Sequence, residues 1–190
     1  MKKLILLCSL LLIITASASN LKAQDQEMMK RWMEYSTPSD AHKAMAKLAG
    51  NWNFTSKMWM DPSQPPMDGT GTAKFEMIYG DRYLQSKVNS TMMGMPFEGT
   101  ALTGYNNATK KYFTTWIDNM GTGLMTLEGT RDDKTGVITF YGSMFDPMAG
   151  KNCTMRQTMK IDSDNKMTMA MYSTTEGGSE KQDMEIVYTR

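Results

Sequence analysis

The sequence predicts an all-β protein, an antiparallel up-and-down barrel of about ten strands preceded by N-terminal helices. Three observations predict it. From Trp52 to the last residue, apolar side chains recur with a period of two and nowhere with a helical period. Clusters of Gly, Asn, Asp and Pro break that stretch at hairpin spacing. A meander of so many short strands tends to close on itself, because closure removes both exposed edges. A sandwich of two sheets is the competing arrangement.

Residues 1–23 read as an export signal. Lys2 and Lys3 form the positive start, Leu4 to Ile14 the apolar core, and small residues follow, with cleavage after Ala18 or Ala23 both fitting. Cys8 sits too early in that run to be an acylated lipoprotein cysteine. A helical segment over 24–37 comes next, with Met28, Met29, Trp32 and Met33 as an apolar stripe until Thr37-Pro38 breaks it. The domain proper is 38–190. Ser39 or Thr37 caps a second helix whose Ala41, Met45 and Leu48 share a face, and Gly50 is placed to end it.

The strands follow in order. Trp52, Phe54, Met58 and Met60 share one face, with Trp59 on the other. Asp61 to Gly69, with three prolines, is a loop. Gly71, Ala73, Phe75, Met77 and Tyr79 alternate with Thr70, Thr72, Lys74 and Glu76. Strands over 82–93, 97–105, 111–120, 123–131, 137–146, 151–162, 167–175 and 180–190 complete the set, each joined to the next by a short polar or glycine-containing turn.

Composition narrows the function. The chain holds 21 Lys and Arg against 20 Asp and Glu. Without Lys2, Lys3 and Lys22 the mature balance is 18 against 20, a net of −2, which gives no electrostatic footprint for nucleic acid or anionic lipid. No segment after the signal is apolar enough to insert in a membrane. Cys153 is left without a partner for an internal disulfide and is expected as a buried thiol. Of the 22 methionines, 21 follow the signal, while Leu84, Leu102, Leu124 and Leu127 are the only leucines after Gly50. Methionine must therefore fill much of the interior.

Two sets of residues carry a resemblance. Gly50-x-Trp52 at the start of the first strand and Arg190 at the end of the last resemble the calycin superfamily of lipocalins, fatty-acid-binding proteins and nitrobindin-like barrels. That resemblance implies a tryptophan plugging the closed end with the terminal arginine over its ring; Met184, Ile186, Tyr188 and Arg190 fall on one face, as it requires. Met93-Gly94-Met95-Pro96-Phe97-Glu98-Gly99, Gly104-Tyr105-Asn106-Asn107, the run Thr115 to Gly123, Asp146 to Lys151 and Met155-Arg156 resemble the secreted bacterial family known as domain of unknown function 1579, over residues 38–190. This implies a calycin-like barrel in the periplasm or outside the cell, and no activity.

Candidate chemistry is sparse. One histidine and one mature cysteine cannot assemble a triad, and there is no nucleophile elbow, phosphate loop or metal-hydrolase motif. His42 lacks partners at zinc-ligand spacing, and nitrobindin-like barrels carry their haem histidine near the last strands, where this chain has none. It reads as a helix residue packing a lid on the barrel mouth. Trp116 and Asp118 offer a stacking surface and an acceptor, with Arg156 as a partner across the barrel; Asp118-Asn119-Met120-Gly121 reads equally as hairpin chemistry. The expected function is non-catalytic binding of a small, largely apolar ligand by Phe75, Met77, Trp116, Asp118, Arg156 and Met169, with Trp52 and Arg190 closing the base. No cofactor and no metal site is assigned, and the oligomeric state is left open. Two rivals stand. Met58-x-Met60, Met92-Met93-x-Met95 and Met167-x-Met169-x-Met171 have the spacing of Cu(I) sites, a reading that requires exposed methionines near one rim. A carbohydrate-active enzyme requires two inward carboxylates.

Overall fold

The computed structural model describes residues 24–190; the export signal expected at 1–23 lies outside them. The described residues fall into two units that part after Thr37. In the first, residues 24–36 form a helix, α1. Its Met28, Met29, Trp32 and Met33 are all exposed, and Arg31–Glu27 and Lys30–Glu34 pair one turn apart. No helix among the described residues is long and apolar enough to cross a membrane.

The second unit is a closed barrel. A short helix, α2 (Asp40–Ala46), leads into β1 (Gly50–Met58), β2 (Met67–Ile78), β3 (Tyr83–Met92), β4 (Met95–Asn106) and β5 (Lys111–Asp118). Then come β6 (Met125–Arg131), β7 (Ile138–Asp146), β8 (Lys151–Ser163), β9 (Lys166–Thr175) and β10 (Lys181–Thr189). Each strand pairs antiparallel with its sequence neighbours, and β1 pairs with β10 to close the ring. Closure leaves no unpaired edge to template aggregation. The two-residue turn Met93-Gly94 has φ of 50° and 79°, the two left-handed residues that such a hairpin needs.

Antiparallel order sorts the connections into two ends. The start of β1, the end of β10 and α2 lie at one, called the floor here. The loops 59–66, 93–94, 119–124, 147–150 and 176–180 lie at the other, the mouth. Large side chains from all round the wall fill the interior, among them Trp52, Leu127, Phe140 and Met167, each no more than 2 % exposed. Methionine divides by place. Met125, Met155, Met159 and Met167 are buried in the barrel core, whereas Met60, Met93, Met95, Met120 and Met148 are exposed on or beside the mouth loops.

Three features differ from the expectation. Gly50 does not terminate the helix. α2 stops at Ala46, and Gly50, at φ 131°, is the first residue of β1. The first loop is shorter at its far end than the prolines suggest, because cross-strand pairing runs out to Met58 opposite Met67. The helix next to the barrel packs at the floor and not over the mouth. His42 on α2 is buried with its ring edge-on to Tyr105 at the end of β4.

The floor location gives His42 a structural chemistry. Its Nδ1 accepts a hydrogen bond from the Ser39 backbone N–H at 3.0 Å, which leaves the proton on Nε2, the nitrogen able to bond the Tyr105 backbone. Burial, more than that bond or the nearby Arg82 charge, sets the direction and holds the imidazole pKa below its ordinary value. The unfolded chain therefore takes up this proton first as pH falls, so stability is full above the ordinary histidine pKa of about 6.5 and declines below it. Urea midpoints should drop between about pH 7.5 and about pH 5.5, and His42→Gln should flatten that dependence.

Candidate functional site

The floor is sealed by one composite contact. Trp52, the third residue of β1, donates its indole N–H to the Leu48 carbonyl at 2.8 Å. The Arg190 guanidinium lies over the indole, 4.3 Å from the ring centroid. It donates through Nε to the Asp164 carbonyl at 2.9 Å, and through its two terminal nitrogens to the carbonyls of Ala49 at 2.7 Å and Lys47 at 2.9 Å. One side chain thus joins the end of β10, the β8–β9 turn and the segment leaving α2. Phe75, paired with Gly50, packs edge-on against both Trp52 and Tyr188 within this plug, and Met77 sits further toward the floor on the same strand.

Above the floor the inner wall is unevenly buried. Alternation puts Met167, Met169, Met171 and Ser173 of β9 and Met184, Ile186 and Tyr188 of β10 on the inner face. Met167 and Tyr188 are buried, but Met169, Met171, Met184 and Ile186 stay partly accessible although they point inward. Leu127 and Phe140 on β6 and β7 are fully buried. Across the ring, at the mouth ends of β4 and β5, Phe97 stacks on Trp116 at 6.3 Å between ring centroids. Ser86, Thr114 and Gln157 are buried polar groups of the inner wall, and the Thr114 hydroxyl is 3.1 Å from that of Thr103.

The expected pocket residues separate. Phe75, Met77, Trp116 and Met169 pack on or against the core. Asp118 also lies on the inner face of β5, but its carboxylate is committed. One oxygen accepts the Trp116 indole N–H at 2.7 Å, and the other accepts the backbone N–H groups of Met120 and Gly121 at 2.9 and 3.1 Å. Asp118 is both the acceptor for Trp116 and the turn carboxylate, and with both oxygens engaged it is not free for acid–base work on a glycoside.

Arg156 does not face it. The inward positions of β8 are Cys153, Met155, Gln157 and Met159, so Arg156 points out. There it makes a bidentate pair with Glu180, at 2.8 and 2.6 Å, and lies 3.7 Å over the Tyr172 ring. This outer clamp holds the β9–β10 hairpin to the wall. With both partners partly solvated, Arg156→Ala should cost only about 1 kcal/mol in urea unfolding and leave binding inside the barrel unchanged.

Sequence reasoning missed a second inner-wall group near the mouth. Cys153 is buried with its Sγ 3.7 Å from Met155 Sδ, and Met144 is its direct cross-strand partner on β7. Asp183 occupies a bulge in β10. Its Oδ1 accepts the Ser173 hydroxyl at 3.0 Å and lies 3.5 Å from Lys181 Nζ. Its Oδ2 is buried and has no hydrogen-bond partner among the described residues. Burial first, then the charges of Asp146 and Asp183, push the Cys153 thiol pKa up. A bulge leaves no trace in an alternation pattern, so Asp183 carried no sequence signal.

Two open clefts mark the surface of the wall. One, of about 330 Å³, sits at the mouth rim over β7–β9 and is lined by Cys153, Thr154, Thr174 and Glu176 among others. The other, of about 260 Å³, lies near the floor around Asn51, Asn53, Thr72 and Asn89. Among the described residues, no cluster of three or more His, Cys, Asp or Glu side chains could hold a metal ion.

Known proteins match this arrangement in fold. The crystal structure of Rv2717c from M. tuberculosis is similar over 81 % of this chain and 99 % of its own, at 16 % identity and a TM-score of 0.60. Two engineered barrels are more distant. A de novo designed fluorescence-activating β-barrel is 12 % identical over 80 % of this chain and 99 % of its own, with a TM-score of 0.45. A redesigned β-barrel is 14 % identical over 77 % of this chain and 94 % of its own, with a TM-score of 0.40. No curated protein matches the chain significantly. The model of one family, described as "Protein of unknown function (DUF1579)", matches residues 37–190, which is the whole barrel with α2, and the chain belongs to that family.

Proposed function

We propose that the barrel is a non-catalytic carrier for a small, largely apolar ligand held in the lumen, exported to the periplasm or beyond. One observation carries this reading: Met169, Met171, Met184 and Ile186 face inward yet remain partly accessible, above a floor closed by Trp52 and Arg190. Flexible thioethers with an aromatic pair at the mouth suit an apolar guest of imprecise shape. The few buried hydroxyl and amide groups on the wall, Ser86, Thr114 and Gln157, orient a single polar end.

The test is titration with an environment-sensitive apolar dye, anilinonaphthalene sulfonate, displaced by fatty acids of graded length. The protein should bind saturably at one site. Ile186→Phe and Met169→Phe, which add volume to the accessible side, should weaken binding about tenfold, which is about 1.4 kcal/mol. The clamp variant Arg156→Ala should bind as the parent does. Non-saturable binding, or lumen-filling variants that bind normally, overturns the proposal.

A further inference from the structure

The sulfur atoms at the mouth form a more specific constellation than core filling requires. Met144 and Cys153 are direct cross-strand partners on the inner face of β7 and β8, and Met155 is two residues further along β8 on that face. Positions so related have Cβ atoms about 5–8 Å apart, within the span over which two methionines and a cysteine can converge. Two of the three sulfurs already meet, at 3.7 Å. Metal–thiolate bonds of about 2.3 Å set the sulfur–sulfur edges of a trigonal site near about 4 Å, so the pair stands almost at that spacing. The residue opposite Met155 is Gly142, against whose bare backbone Leu127 packs.

We propose that Met144, Cys153 and Met155 form a binding site for a soft monovalent cation, Cu(I) in a cell. Thioethers and a thiolate select such an ion over Zn(II) or the hard divalent cations. The second, independent observation is the neighbouring carboxylate: Asp183 Oδ2 is buried without a partner, on a bulge that brings the side chain to Ser173, the cross-strand partner of Met155. Lys181 and the Ser173 hydroxyl engage only the other oxygen, and a cation in the sulfur triangle gives Oδ2 a partner of its own. Asp146 and Asp183 are the anionic groups near the thiol, and Lys181 is the opposing cation. The exposed methionines of the mouth loops, Met148 at 87 % exposure foremost, give an arriving ion soft ligands on its way in. Binding is an exchange without redox change: Cu(I) forms a bond to Sγ, the S–H bond breaks, and the proton leaves to solvent. The site is on the wall and independent of the apolar-ligand reading, so either can fail alone.

The experiment is anaerobic titration of the reduced protein with Cu(I) buffered by a chromogenic chelator, repeated with Ag(I) as a redox-inert probe. One equivalent should be withdrawn from the chelator. Affinity should rise about tenfold per pH unit below the thiol pKa, because one proton is released. Cys153→Ser should weaken binding about a hundredfold and remove the pH slope; Met144→Leu and Met155→Leu, which keep side-chain volume, about tenfold each. X-ray absorption on the copper-loaded parent protein needs no variant and should count three sulfur neighbours. Failure to compete with the chelator, a shell of nitrogen or oxygen, or affinity that survives Cys153→Ser each overturns the site; the last places the ion on the exposed methionines.

Discussion

Trp52→Ala should destabilise the barrel by about 4–5 kcal/mol, and Arg190→Ala by about 3 kcal/mol. The tryptophan estimate combines the removal of a fully buried aromatic, about 3–5 kcal/mol with its cavity, and the loss of the partner that satisfies the Leu48 carbonyl. The arginine estimate rests on hydrogen bonds from a charged donor, about 1.5–3 kcal/mol as a group at a solvated edge, and a cation–π contact of about 0.5–1 kcal/mol. Arg190→Lys should recover little, because an ammonium cannot address three carbonyls on two segments while lying over the indole. Urea denaturation measures all of these. In a double-mutant cycle the two residues should couple by about 1 kcal/mol or more, since each holds the other in place. Additive losses would show that the guanidinium serves only its carbonyls.

That floor is the most legible part of the chain because its signals are local and rigid. A tryptophan on a strand after a glycine, and an arginine on the last position of the final strand, keep their faces through period-two parity alone. The ten strands are legible for the same reason. What parity cannot give is instructive at two residues. Arg156 reads as inward although Met155 and Met159 flank it on the inner face, because buried Gln157 between them disguises the alternation with a polar residue. Asp183 is invisible because the bulge at β10 shifts the register by one between Gln182 and Met184. Gly50 reads as a helix end for a third reason: a positive φ that can end a helix also starts this strand, and the sequence specifies only that a glycine is needed. The methionine crown follows from the placement of turns, and its concentration at one end emerges only once the strands are ordered.

Gly129→Ala should be nearly as damaging as the loss of the floor, about 3 kcal/mol, whereas Gly99→Ala should cost less and report on the mouth instead. Both glycines are buried positions of the inner wall, but a methyl group meets different obstacles at each. At Gly129 it would overlap the Thr139 carbonyl oxygen and the backbone of Phe140, on the neighbouring strand of the same ladder. Backbone within a closed barrel cannot retreat without breaking β6–β7 pairing, and overpacking of that kind costs about 1–3 kcal/mol or more. At Gly99 the methyl would overlap the far edge of the Trp116 ring, which lies across the glycine. A ring can rotate away, at the expense of its bond to Asp118 and its stacking on Phe97. Thermal melting should therefore separate the two variants, with Gly129→Ala the less stable. Gly99→Ala should retain the fold and shift Trp116 fluorescence to the red as the indole meets water. If the indole helps to retain the guest, the same variant should weaken dye binding while leaving Cu(I) affinity untouched, which places Trp116 with the lumen and the sulfur triangle apart from it. Equal melting temperatures for the two variants would mean that the β6–β7 ladder yields as easily as a side chain, against the rigidity expected of a closed sheet.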